Sequence, residues 1–186
     1  MEIKNYIALG RFTILVLVIL GLNAQALLAQ APDKSLESRN LTSYQESEIL
    51  WLSRVIYSET KDEDEQLMIA WVVRNRVEAG FRGAKNYEDV ALDPLQFSGL
   101  NKIDRQFKHN ISRSVDSEGE SWSTAKSIAE GVYFAPSMFS PISNETLHFY
   151  SPIATKTPDW ALRHKPVLTM LDTTGNVRFA FYEKIK

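Results

Sequence analysis

The 186-residue chain contains no cysteine and only three histidines, His109, His148 and His164. The lack of cysteine excludes disulfide bonds, a thiol nucleophile and cysteine-ligated metal sites. The histidines lie on separate stretches, and no H-E-x-x-H pair occurs at helical spacing, so a histidine metal site has little support. We therefore expect neither a metal ion nor any other cofactor.

The chain also lacks an excess of charge of either sign. Lys and Arg number 21 and Asp and Glu 23, which gives a formal net charge of −2. No basic excess indicates a nucleic-acid partner. The glycine-rich nucleotide motifs G-x-x-x-x-G-K-[ST] and G-x-G-x-x-G are missing, and so is the G-x-S-x-G turn of many serine hydrolases, although composition alone leaves a Ser-His-Asp triad open.

The longest uncharged run lies near the N-terminus, from Phe12 to Pro32. Lys4 and Arg11 precede it, and A-x-A patterns follow at 24–26 and 29–31, as in an export signal. We assign residues 1–31 to a signal peptide or, because the run is about long enough to span a bilayer, to a membrane anchor. We expect an exported protein of the periplasm or cell envelope, with membrane contact only through this segment if it stays uncleaved.

Residues 32–42 are polar without periodicity and predict a linker, so the folded domain should cover 43–186. Ser43 and Glu46 fit a capping box, and the helix that they begin should run to about Thr60. A second, central helix should end at Gly80. A third should begin at Ser121.

Further along the chain, "VLTMLD" and "VRFAFYE" predict a β-hairpin, and "LHFYSP" predicts a short strand or an extended segment. The sum is a mainly helical (α+β) domain with a small β-hairpin.

Glu59 is an acid on an apolar helix face. Ile49, Leu52, Ile56 and Glu59 follow one another at spacings of three, four and three, so they share one face of the first helix. Partial desolvation there would raise the pKa of the carboxyl group and keep it protonated as a general acid. On spacing alone, an ordinary helix-end glutamate is the simpler interpretation.

The stretch "SRVIYSETKDEDEQLMIAWVVRNRV" resembles the signature of the cell wall hydrolases of the spore cortex-lytic type. That signature is roughly A-R-x-I-x-x-E-A-x-G-E, followed by G-Q-x-A-V-A-x-V-V-x-N-R-V. "LQFSG", "LHFYSP" with "PDWA", and "TGNVRFAFYE" resemble later segments of the family in the same order, so the similarity covers about residues 45–183. The loop after Glu59 is shorter here and lacks the family's glycine, and Arg178 or Phe179 stands where the family has its closing histidine.

The resemblance implies a lysozyme-like helical fold and cleavage of peptidoglycan glycan strands, with Glu59 as the single catalytic glutamate. A lone acid fits a lytic transglycosylase, whereas Glu63, a candidate accessory acid, would suit a water-using muramidase on the same glutamate. A non-catalytic peptidoglycan-binding module is the third possibility. The candidate sugar-binding residues are Gln96, Ser98, His148, Tyr150 and Trp160.

Several of these residues also have a structural interpretation. Trp160 is better explained by core packing, whereas loop closure explains Gln96 and Ser98 as well as sugar binding does. In an extended segment, His148 and Tyr150 share a face. Asn75 and Arg76 are expected to support the core and the end of the second helix rather than to touch substrate.

Overall fold

The computed structural model describes residues 40–94, 96–183 and 185. With 49% helix and one three-stranded antiparallel sheet, the predicted α+β class is confirmed. The predicted signal peptide or anchor and most of the predicted linker lie outside the described residues. Within the described part of the chain, no helix is long and apolar enough to cross a membrane.

The described elements belong to one compact unit that begins at Leu41. The helices are α1 (Ser43–Glu59), α2 (Glu63–Glu78), α3 (Tyr87–Ala91), α4 (Phe107–Ile111), α5 (Glu120–Phe134) and α6 (Asp159–Leu162). The strands are β1 (Thr146–Tyr150), β2 (Leu168–Leu171) and β3 (Val177–Glu183). Short 3₁₀ turns cover Phe81–Gly83, Ser98–Leu100 and Ser137–Phe139.

Helix α1 is capped one residue earlier than predicted. The Gln45 N–H donates to the Thr42 hydroxyl over 3.2 Å, and the Thr42 N–H donates to the Gln45 side chain over 3.0 Å. This is a capping box, but it uses Thr42 and Gln45 instead of Ser43 and Glu46. Two overlapping S/T-x-x-E/Q patterns compete here, and the first one caps the helix.

Helix α2 is central, as its wide apolar surface predicts. It packs against α1, α5, α3 and β1, and it ends before Gly80, whose φ of 59° leaves the helical region. The Asn75 amide donates to the carbonyl oxygens of Ser143 and Thr146, so it joins α2 to the sheet. The predicted structural role of Asn75 is thereby confirmed.

The sheet has the strand order β1-β3-β2, with both neighbours of β3 antiparallel to it. The predicted hairpin is therefore β2–β3, and β1 adds a third strand on its other side. Phe179 and Phe181 of β3 face the helical core, whereas Ala180 and Tyr182 pack under α6. Both faces of β3 are covered, and β1, which pairs with β3, packs against α2.

Candidate active site

Glu59 is the last residue of α1, and its side chain is partly exposed. The helix ends there because Thr60 is extended (φ −157°, ψ 166°), while the Thr60 N–H still donates to the carbonyl oxygen of Ile56. Leu52 and Ile56, on the same face, are fully buried. The predicted face of α1 is confirmed, and it carries Glu59 to the edge of the core.

The Glu59 carboxyl group makes no hydrogen bond or ion pair with any described residue. Burial raises its pKa from the ordinary 4.5 to about 7, and the positive charge of Arg76 offsets part of that shift. The helix dipole also opposes a carboxylate at this end of α1. Near neutral pH the group exists in both its protonated and ionised forms, so it can first donate and then accept a proton.

The main chain beyond Glu59 is anchored by hydrogen bonds to Thr60. The Gln66 amide donates to the Thr60 carbonyl oxygen over 2.9 Å, and the Thr60 hydroxyl donates to the Glu65 carboxylate. The Asp62 N–H donates to the same hydroxyl oxygen over 3.2 Å. These bonds restrict the main chain next to Glu59 and thereby limit the positions of its carboxyl group.

Glu65 is a second carboxylate at the junction of α1 and α2, and it is buried and paired. Arg178 of β3 places Nε 2.9 Å from one carboxylate oxygen and Nη2 3.0 Å from the other. Such two-point pairing is strong and directional. Sequence reasoning missed Glu65, although the buried Ile69 and Val72 follow it at four and seven residues and place it on the inner face of α2.

The candidate accessory acid, Glu63, is exposed in the first turn of α2. Its neighbour Asp62 is also exposed and caps the helix, because its carboxylate accepts from the Glu65 N–H over 3.0 Å. The helix dipole stabilises acids at this position without any substrate. The charge that shifts the pKa of Glu59 is that of Arg76, not that of these two acids.

Arg76 is buried beside Glu59, and its Nε donates to the carbonyl oxygen of Leu147 over 2.7 Å. The guanidinium carbon lies 5.2, 5.4 and 5.8 Å from the ring centroids of Phe81, Phe97 and Phe149. Burial lowers the pKa of Arg76 to about 10, while the negative charges of Asp93 and Glu59 raise it. Its predicted support of the core is confirmed, but its position beside Glu59 was not predicted.

The Q-F-S-G segment lies against the last turn of α1. A Cβ atom added at Gly99 would lie only 3.0 Å from the Cβ atom of Ser58, so glycine is needed for this approach. Gln96 is half-buried and Ser98 exposed, and neither side chain is hydrogen-bonded within the described residues. Two candidate sugar contacts thus have unused hydrogen-bonding groups near the end of α1.

The remaining sugar-binding candidates form one aromatic group on β1 and α6. His148 and Tyr150 pack on Trp160, with ring centroids 5.5 and 5.9 Å apart, and all three are half-buried. Phe149, between them in sequence, packs on Phe181 in the main core. The predicted shared face is confirmed, and its half-buried rings suit both packing and sugar stacking.

His148 links this aromatic group to the surroundings of Arg76. Its ring meets the Phe81 ring edge-on at 5.2 Å, and Phe81 covers Arg76. Burial lowers the pKa of His148, the charge of Arg76 lowers it further, and the main chain of Glu183 offsets part of the shift. Its Nδ1 atom is buried without a well-formed hydrogen bond, so we expect a neutral imidazole.

The described residues contain no group of three or more side chains that could hold a metal ion. The chain matches no protein-family model, no curated protein and no solved structure. Any functional assignment therefore depends on the chemistry around Glu59 and on the sequence resemblance.

Proposed function

We propose that this protein cleaves peptidoglycan glycan strands between N-acetylmuramic acid and N-acetylglucosamine, as a lytic transglycosylase with Glu59 as acid and base. The observation that carries the proposal is the unpaired Glu59 carboxyl group, partly exposed at the end of a buried helix, with a pKa raised to about 7. The resemblance to the spore cortex-lytic type of cell wall hydrolases supports the same residue as the acid. It also implies a lysozyme-like fold. The export segment predicted at residues 1–31 supports a periplasmic or cell-envelope location.

In this mechanism, protonated Glu59 donates its proton to the glycosidic oxygen as the bond to C1 of the muramic acid breaks. The N-acetyl group of that sugar, or nearby dipoles, stabilises the positive charge that develops at C1. The Glu59 carboxylate then removes the proton from the C6 hydroxyl, whose oxygen bonds to C1. The product is a 1,6-anhydro sugar, the leaving strand keeps the first proton, and Glu59 is protonated again.

The lyase is favoured over a water-using muramidase by the positions of the nearby acids. Two-carboxylate glycosidases hold their acids about 5–9.5 Å apart across the scissile bond. Among the described residues, Asp62 and Glu63 are exposed at the start of α2, and Glu65 is engaged by Arg178. None of these three acids at the junction of α1 and α2 is available as an inward-facing partner for Glu59.

Mass spectrometry of soluble products from purified peptidoglycan tests the proposal. The wild-type chain is compared with Glu59→Gln and with Glu63→Gln, a matched control at the same junction. We expect anhydro-muropeptides from the wild type and from Glu63→Gln, and none from Glu59→Gln. Reducing-end products would make the enzyme a muramidase on the same acid, and no products from folded wild type would favour a binding module.

A further inference from the structure

Arg76 has hydrogen-bonding capacity that the fold does not use. It is 4% exposed, and only its Nε atom donates to a described acceptor, the carbonyl oxygen of Leu147. Its Nη1 atom is buried without a partner, and Nη2 likewise donates to no described residue. A buried charged donor without an acceptor is costly, and a ligand with an acceptor oxygen would complete the pairing.

A cavity of about 620 Å³ opens beside this guanidinium group and is bounded by Arg76 and the segment 81–94. Its volume falls within the range of small-molecule sites and suits one or two sugar residues. Phe81 forms part of its wall and separates it from His148. The cavity therefore borders the aromatic group of β1 and α6 through Phe81, and Arg76, whose charge acts on Glu59, forms another part of its wall.

The charges in the cavity wall balance, which indicates a neutral ligand. Three cationic side chains, Arg76, Arg82 and Lys85, face three acidic ones, Glu88, Asp89 and Asp93. Arg82 pairs with Asp93 at 3.2 Å, so part of the charge is already neutralised. An anion gains no net attraction here, whereas a ligand with hydroxyl and amide groups finds both donors and acceptors.

The unpaired atoms define which group of such a ligand fits. Nη2 of Arg76 is, unlike Nη1, not fully buried, and it is a donor only, so the ligand must offer an acceptor oxygen. Phe81, Val90 and Pro94 of the wall supply apolar surface for a small alkyl group. An acetamido group combines a strong carbonyl acceptor with a methyl group.

We propose that this cavity is a subsite for an N-acetylhexosamine and that Arg76 donates to its acetamido carbonyl oxygen. The inference rests on the proposed function, because it takes an acetylated glycan as the substrate. It makes Arg76 a specificity-determining residue beside the acid, in addition to its support of the core.

Nuclear magnetic resonance titration of full-length Glu59→Gln tests the subsite without turnover. The probes are tri-N-acetylchitotriose and cellotriose, which carries hydroxyl groups in place of the acetamido groups. With the acetylated probe we expect shifts at the amides of residues 81–85 and 90 and at the Arg76 Nε–H. We expect cellotriose to bind at least about tenfold more weakly than the acetylated probe, because it leaves the Arg76 donors unpaired. Equal affinities, no binding, or shifts confined to residues outside the cavity overturn the proposal.

A cavity-blocking variant gives a second test that leaves the buried Arg76 intact. Ala84→Phe fills the cavity from its half-buried rim, and Ala79→Phe, at the exposed end of α2, is the matched control. We expect Ala84→Phe to abolish binding of the acetylated probe and Ala79→Phe to retain it. Unchanged affinity in a folded Ala84→Phe variant overturns the subsite.

The failures of the two proposals are distinguishable. Selective binding in the cavity, with no cleavage of peptidoglycan by the wild type, supports the subsite and refutes the enzyme. Cleavage that depends on Glu59, with no preference for the acetylated probe, supports the enzyme and refutes the subsite.

Discussion

Two glutamates, Glu59 and Glu65, flank the turn between α1 and α2 and have opposite surroundings. Glu65 is 5% exposed, and it accepts hydrogen bonds from the Thr60 hydroxyl and from Arg178. Glu59 retains some exposed surface, yet no described residue pairs with it. The carboxylate with partners holds the fold together, and the one without partners is available for chemistry.

The difference follows from the cost of burying a charge. A carboxylate removed from water must be paired or hydrogen-bonded, or it takes up a proton. Arg178 supplies the pairing for Glu65. Burial raises the pKa of Glu59 to about 7, because the charge of Arg76, which forms no ion pair with it, offsets only part of the shift.

The largest expected effect is the difference in kcat/KM between the variants that remove the two carboxylates in turn. Glu59→Gln should lower kcat/KM for peptidoglycan roughly 10²–10⁴-fold, because the proton donor and acceptor is lost. Glu65→Gln keeps an acceptor for Thr60 and should change kcat/KM by less than about tenfold. Turnover of soluble glycan fragments, with folding checked by circular dichroism, measures both. Equal losses in the two variants would show that the contrast between them is not functional.

The second-largest effect should be on the free energy of unfolding, which should depend on the pairing of Glu65 with Arg178. Arg178→Met leaves Glu65 buried without its cation and should lower the free energy of unfolding by about 2–3 kcal/mol. This is below the usual cost for a fully buried pair, because the Arg178 side chain is 37% exposed. Glu78→Gln, which removes the exposed partner of Arg74, should cost only about 0.3–0.5 kcal/mol. Urea unfolding compares them, and equal midpoints would contradict the structural role of Glu65.

A smaller effect should appear when stability is followed against pH. The folded-state pKa of Glu59, about 7, lies above its ordinary value of 4.5, so its contribution is present below about pH 4.5 and is lost as the pH rises towards 7. Glu59→Gln should match the wild type at pH 4 and exceed it by on the order of 1–2 kcal/mol at pH 8, since partial exposure reduces the full value of the shift. Thermal unfolding across this range measures the difference, with Glu63→Gln as a flat control. A constant offset between wild type and Glu59→Gln would contradict the raised pKa.

The sequence predicts Glu59 better than it predicts Glu65, and the reason is physical. The face of α1 follows from spacings of three and four residues, which are local. The Glu65–Arg178 pair joins residues 113 positions apart, and no local pattern encodes that contact. The cap of α1 was placed one residue late because two capping patterns overlap.

Helix α4 and the cavity beside Arg76 were also beyond local reasoning. Helix α4 has five residues, too few to be stable alone, and Asn110 within it donates to the Gly99 carbonyl oxygen. Arg76 was correctly expected in the core, but its unpaired nitrogens and the cavity beside it arise only when α2 meets the segment 81–94. Hydrophobic periodicity indicates which face of a helix is buried, not which polar atoms on that face lack partners.

The smallest effect should be a shift in the pH dependence of turnover. In the wild type, kcat/KM should fall as the pH rises above about 7, because the free enzyme must hold the proton on Glu59. The positive charge of Arg76 lowers that pKa, so Arg76→Gln should move the alkaline limb to higher pH, whereas Arg76→Lys, which keeps the charge, should leave it near 7. Both variants should bind acetylated glycan less well, but such a loss lowers kcat/KM at every pH and does not move the limb. If the alkaline limb of kcat/KM in folded Arg76→Gln lies at the same pH as in the wild type, Arg76 does not act on Glu59 through its charge.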